Sequence, residues 1–166
     1  MLFDLFIREI HRRLIDESLP RLRKCLGMLD ESAIWYRPNV HSNTVGNLVL
    51  HLHGNVRQWL GAGLMKMEDV RMRQTEFDEE GPISSAELLA RMAQTELLIE
   101  TTLKKVRPED LIASHRVQGF EENGVAILVH VTEHFSYHVG QITYITKALK
   151  DLDTGYFAGI DLEKKD

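Results

Sequence analysis

Several kinds of residue are scarce in this chain, and each scarcity closes off a class of protein. A single cysteine, Cys25, among 166 residues leaves no internal disulfide and no metal site built from several thiolates; it suits a reducing compartment. Basic residues are in deficit, with 20 Lys and Arg against 25 Asp and Glu, a formal charge of −5 and no basic run longer than two. A nucleic-acid partner, which needs a basic field to meet phosphates, is not expected. Long apolar runs are missing as well. No stretch reaches the ~18 apolar residues of a membrane span, so no membrane is expected as a partner. The opening MLFDLFIREIHRRL interleaves charged and apolar positions, unlike the h-region of a signal peptide. Together these features read as a cytoplasmic protein.

A hydrophobic content of 43% over this length is enough for one core, so a single domain over 1–166 is expected. Four long segments have helical periodicity. The first runs from about Leu2 to Leu29, and Pro20 predicts a kink or break near Glu17 to Leu19 because proline removes a donor and crowds the preceding turn. The second starts after Ser42-Asn43-Thr44, three candidate N-caps, and ends near Gly61 or Gly63. The third opens at Ser84-Ser85-Ala86-Glu87 with capping-box spacing and continues to about Val106. The fourth covers about Gly124 to Leu149. The link from Met67 to Ile83 is mostly polar and charged, residues 111–122 have no strong period, and the chain after Asp151 reads as a tail. With no convincing strand pattern, the expected class is all-α and the economical architecture a four-helix bundle.

What the chain does have is an unusual run of imidazoles. His130, His134 and His138 follow one another at intervals of four in the last helix. Each interval advances roughly 40° around a helix axis, so neighbours share a face and can share one metal ion. On a wheel, His138 lies roughly 40° and His134 roughly 80° from the apolar centre set by Leu128, Val131, Phe135, Val139, Ile142, Ile145 and Leu149, whereas His130 lies roughly 120° away. His134 and His138 are therefore the inward pair, and His130 reads as exposed or supporting. Tyr137 and Gln141 border the pair on its polar side.

The second helix carries His51 and His53, about equally far from its apolar centre, and periodicity does not choose between them. The neighbourhood of His51 is distinctive, because Asn47, Asn55 and Gln58 lie within about 40° of it and suggest a polar lining. Trp59 lies on the apolar face, where packing is expected. His11, His41 and His115 read as ordinary helix or loop histidines.

The combination Asn43-x-x-Gly46-Asn47-Leu-Val-Leu-His51-Leu-x-Gly54-Asn55-x-Arg57-Gln58-Trp59, then Gln118-Gly119-Phe120, then Glu133-His134-Phe-Ser-Tyr137-His138-x-Gly140-Gln141-Ile142, resembles the DinB/YfiT-like superfamily of metalloenzymes over nearly the whole chain. The resemblance implies a four-helix bundle, often a homodimer, with one metal held by a histidine of the second helix and a His-x-x-x-His pair of the last. By motif these are His51, His134 and His138, the apolar triplet Leu48-Val49-Leu50 marking His51. His53 stands where that pattern commonly has a small residue. Relatives in the superfamily include transferases and isomerases that use a low-molecular-weight thiol, although none of their thiol-recognition residues maps here.

Three neutral imidazoles leave the charge of a divalent ion intact and a coordination position open, so a bound water or thiol would be acidified. Zinc or nickel suits such ligands, and iron is compatible with them. Asn47, Asn55, Gln58, Tyr137 and Gln141 are the candidates to line the site and orient a small-molecule substrate, and Glu133 is a carboxylate able to brace a histidine from behind. The expected function is a metal-dependent transferase or hydrolase. The alternative is a non-catalytic metal-binding or dimeric interaction bundle.

Overall fold

The computed structural model describes residues 2–81 and 83–165; Met1, Pro82 and Asp166 lie outside them. The chain is mostly helical. Helix α1 (Leu2–His11) runs without a break into a π-helical stretch (Arg12–Ser18) and then α2 (Leu19–Met28). Pro20 explains this interruption. The wider turn lets the Leu19 amide reach the Leu14 carbonyl, five residues back, and places Pro20, which has no amide to donate, at the change from π- to α-helical winding at the start of α2. The predicted kink at 17–19 is thus a change of helical winding.

After a short α3 (Glu31–Ile34), α4 (Val45–Val56) begins at Thr44 with a reciprocal cap: Thr44 Oγ1 accepts from the Asn47 amide, and Asn47 Oδ1 accepts from the Thr44 amide. It continues as a second π-helical stretch (Arg57–Leu64) to the predicted glycine end. Helix α6 (Ser85–Lys105) starts at Ser84, whose hydroxyl accepts from the Glu87 amide. A single-turn α7 (Pro108–Ile112) precedes α8 (Gly124–Lys150), which Asn123 caps. Helix α4 packs on α6 and α8, and α2 packs on the same two. Their apolar stripes meet in one core around Leu22, Leu52, Met92, Ile99, Phe135 and Ile142, all fully buried.

Three features depart from the sequence expectations. Residues expected to lack regular structure form an antiparallel hairpin, β1 (Ser114–Val117) with β2 (Phe120–Asn123), pairing His115 with Glu122 and Val117 with Phe120. Four residues per strand are too few for a period of two to stand out. Its two-residue turn has φ of 51° at Gln118 and 83° at Gly119, the doubly left-handed geometry that glycine accommodates. Secondly, the polar link contains a one-and-a-half-turn helix, α5 (Arg73–Asp78), laid against α4. Thirdly, the tail returns to the core: Tyr156 Oη lies 3.0 Å from Cys25 Sγ and 2.9 Å from Thr143 Oγ1.

Candidate metal centre

The packing of α4 against α8 brings three imidazoles together across the interface. His51 sits in the second turn of α4, and His134 and His138 occupy successive turns of α8, so their rings point into one space. His51 Nε2 is 3.0 Å from His134 Nε2, and His134 Nε2 is 3.3 Å from His138 Nε2. One ring nitrogen from each residue lies within 4.8 Å of the others, a grouping able to hold a metal ion. The two shorter separations are near the edge of a tetrahedron with metal–nitrogen bonds of about 2.0 Å, roughly 3.3 Å.

Hydrogen bonding outside this cluster decides which nitrogens face inward. His138 Nδ1 donates to Gln141 Oε1 at 2.7 Å, leaving Nε2 as a lone pair. His51 Nδ1 lies 2.9 Å from Glu76 Oε2. When both Nδ1 atoms donate outward, two Nε2 lone pairs point at His134, which can answer only one of them with a proton. Among the described residues, the buried Nδ1 of His134 has no hydrogen-bond partner. A central cation would satisfy all three inward nitrogens at once, so this donor set fits a metal ion.

Burial, reinforced by the nearby imidazoles and Arg71, pushes His134 down to about 3. Burial also lowers His138, although its bond to Gln141 opposes the change. Both rings are therefore neutral at pH 7, the state that ligates metals.

A family model described as protein of unknown function (DUF1572) matches residues 6–158. The chain belongs to the DUF1572 family. No curated protein matches it. The DUF1572 match spans α4, α5, α8 and everything between them, so the three histidines and their supports lie within the family's domain.

The other residues anticipated around this DUF1572 site have varied surroundings. Gln141 touches the site through His138, and Tyr137, largely exposed, packs edge-on against the His138 ring. Asn55 Nδ2 lies 3.3 Å from His130 Nε2, while Asn55 Oδ1 is buried without a partner among the described residues. His130 stacks on Trp59 with ring centroids 3.7 Å apart and faces His134 at 5.4 Å, beside the cluster and not within it. Asn47 and Gln58 do not face the imidazoles. Asn47 caps α4 and donates to the Glu76 and Glu79 carbonyls; Gln58 donates to Asp69 and accepts from Arg71.

Asn47 and Gln58 are thus explained by a segment that the periodicity passed over. Residues 65–81 cross α4, and the carboxylate that braces a histidine is Glu76 of this segment, where Glu133 on exposed α8 surface had been the candidate. Burial raises the Glu76 pKa, but its bonds to Arg71 and His51 outweigh that and hold the group below the usual carboxylate range. Gly54 makes this approach feasible: a Cβ there would overlap Glu76 Oε1 and stand 2.9 Å from Arg71 Nε. The only sequence signal was negative, a charged link beside a histidine-bearing helix.

His53, the competing imidazole, points elsewhere. Its Nδ1 lies 2.9 Å from Thr95 Oγ1, whose own proton goes to the Arg91 carbonyl, so His53 donates there. The motif pair Trp59 and Gln118-Gly119-Phe120 is one contact: Trp59 Nε1 donates to Gln118 Oε1 at 3.1 Å and its ring stacks on Phe120. Beside Gln141 lies a cavity of about 710 Å³ bordered by Leu48, Asn43, Tyr137, Gly140 and Tyr144, with no Asp, Glu, Lys or Arg in its lining among the described residues. No helix among those residues is long and apolar enough to cross a membrane.

Proposed function

We propose that this DUF1572 chain is a single-domain, DinB/YfiT-like four-helix bundle that works as a metal-dependent transferase or hydrolase on a small molecule, with His51, His134 and His138 as the ligands. The observation that carries the reading is the convergence of three Nε2 atoms from two helices, 3.0 and 3.3 Å apart along the chain of contacts. Structural histidines usually find separate partners, whereas these turn their Nε2 edges toward one another. Zinc or nickel suits three imidazoles, and iron is compatible with them. A bound divalent ion supplies positive charge that lowers the pKa of a coordinated water or thiol toward neutrality.

The protein's own groups then have defined tasks. Gln141 holds the His138 ring by its Nδ1 proton and stands at the wall of the 710 Å³ cavity, a size suited to a small-molecule ligand. Tyr137 and Tyr144 offer that cavity hydroxyl donors and aromatic faces, and the lining, which holds His41 but no Asp, Glu, Lys or Arg among the described residues, favours a substrate portion without a strong charge. A low-molecular-weight thiol as co-substrate, a homodimeric state and a cytoplasmic location belong to the same proposal and rest on the superfamily resemblance.

The test is elemental analysis of full-length protein purified without affinity tag or chelator, alongside His51→Ala and His130→Ala variants. About one metal per chain in the wild type and in His130→Ala, absent from His51→Ala, is the expected result. Metal retained by His51→Ala, or none bound even after incubation with zinc, nickel and iron salts, would overturn the reading.

A further inference from the structure

Residues 65–81 lie over α4 as a strap, and we infer that its Arg71–Glu76 pair positions His51 by accepting the imidazole proton at Nδ1 when metal is held and tolerating that proton at Nε2 when it is not. This deepens the metal reading above and rests on it. Glu76 Oε1 accepts from Arg71 Nε at 2.7 Å, and Oε2 accepts from Arg71 Nη2 at 2.8 Å. The same Oε2 is 2.9 Å from His51 Nδ1, and the same Nη2 is 3.1 Å from it. One ring nitrogen therefore faces an acceptor and a donor together.

Each tautomer of His51 has a group of matching polarity opposite both ring nitrogens, although in the second Glu76 Oε2 faces an unprotonated Nδ1. With the proton on Nδ1, His51 donates to Glu76 Oε2 and turns an Nε2 lone pair toward the cluster. With the proton on Nε2, Nδ1 accepts from Arg71 Nη2, and Nε2 donates to His134 Nε2 at 3.0 Å. The ring keeps one proton in both forms, and no side chain has to move. An imidazole braced by a carboxylate alone would favour the first form; Arg71 supplies the alternative that makes the second acceptable.

The pair is held firmly enough for this role. The Arg71 and Glu76 side chains are 5% and 10% exposed. Arg71 Nη1 donates to Gln58 Oε1 at 2.9 Å, and Asn47 Nδ2 pins the strap backbone through the Glu76 and Glu79 carbonyls. Asn47, His51 and Gly54 of α4 and Gln58 of its π-helical continuation occupy one stripe, spanning roughly 60°. The whole stripe is engaged with the strap.

The experiment titrates full-length wild type, Glu76→Gln and Glu76→Asp with Zn²⁺ in competition with a chromophoric chelator, and locates the His51 proton in the wild type by long-range ¹H–¹⁵N NMR with and without Zn²⁺. We expect Glu76→Gln to bind Zn²⁺ about 10–100-fold more weakly, with partial recovery in Glu76→Asp. In the wild type the His51 proton should move from Nε2 to Nδ1 on Zn²⁺ binding. Equal affinity of wild type and Glu76→Gln, or a His51 proton on the same nitrogen in both states, would overturn the inference while leaving the metal centre intact. Should Glu76→Gln fail to fold, the wild-type NMR comparison decides. No Zn²⁺ uptake by the wild type would overturn the metal reading and this inference together.

Discussion

Replacing Gly54 by alanine sets two effects of opposite sign against each other. Gly54 lies inside α4, where alanine is the better helix former by about 1 kcal/mol, so propensity alone predicts stabilisation. The new methyl, however, would occupy the position of Glu76 Oε1 and lie 2.8 Å from Glu76 Cδ. These atoms belong to a buried ion pair pinned to α4 and are not the free end of a mobile side chain. Displacing the carboxylate leaves Arg71, 5% exposed, as a buried cation without its partner. Breaking such a pair costs about 3–5 kcal/mol, so the net effect is a loss of about 2–4 kcal/mol. At roughly 2–4 °C per kcal/mol for a domain of this size, Tm should fall by about 4–16 °C. Gly27, inside α2 and exposed, has nothing within 4 Å of an added Cβ, so Gly27→Ala should gain a few tenths to about 1 kcal/mol. Paired urea and thermal denaturation of the two variants is the assay. A Gly54→Ala protein as stable as wild type would refute the claim that the strap seats its carboxylate against α4.

Acid should weaken the protein through His53. Burial, with Arg57 and Arg91 close by, pushes this ring down to about 4 against an ordinary 6.5. Because the unfolded chain binds the proton more readily, the stabilisation is complete above about pH 6.5 and is lost as pH falls toward 4. Urea midpoints measured across that range should decline in the wild type and decline less steeply in His53→Asn; parallel curves would count against it. Thr44→Ala removes one side of the α4 cap and should cost about 1–2 kcal/mol, whereas an unchanged denaturation midpoint would assign the start of α4 to packing alone.

Much of the helical layout was legible along the chain because it is governed by local rules. Four-residue spacing puts His134 and His138 on one face whatever surrounds them, Pro20 disturbs helical winding wherever it sits, and Thr44 and Ser84 are caps by virtue of short side-chain oxygens. The hairpin at 114–123 escaped because each strand is too short to build a pattern, and its stability comes from contacts such as Trp59 with Gln118 and Phe120. The α4 stripe shows the boundary most clearly. Helical geometry alone establishes that Asn47, His51 and Gln58 share a face, and their polarity establishes that the face is not ordinary core.

What that face meets is a matter of tertiary structure. Arg71 and Glu76 stand in a link without periodicity, 20 and 25 residues from His51, and only the path of the chain over α4 sets them against its ring. The separation of roles between His51 and His53 depends equally on neighbours: α8 and the strap surround one, while Thr95 of α6 receives the proton of the other. Sequence spacing reports which residues point the same way, since that is a property of one helix. Partner, tautomer and burial are properties of the space between elements, and packing alone defines that space.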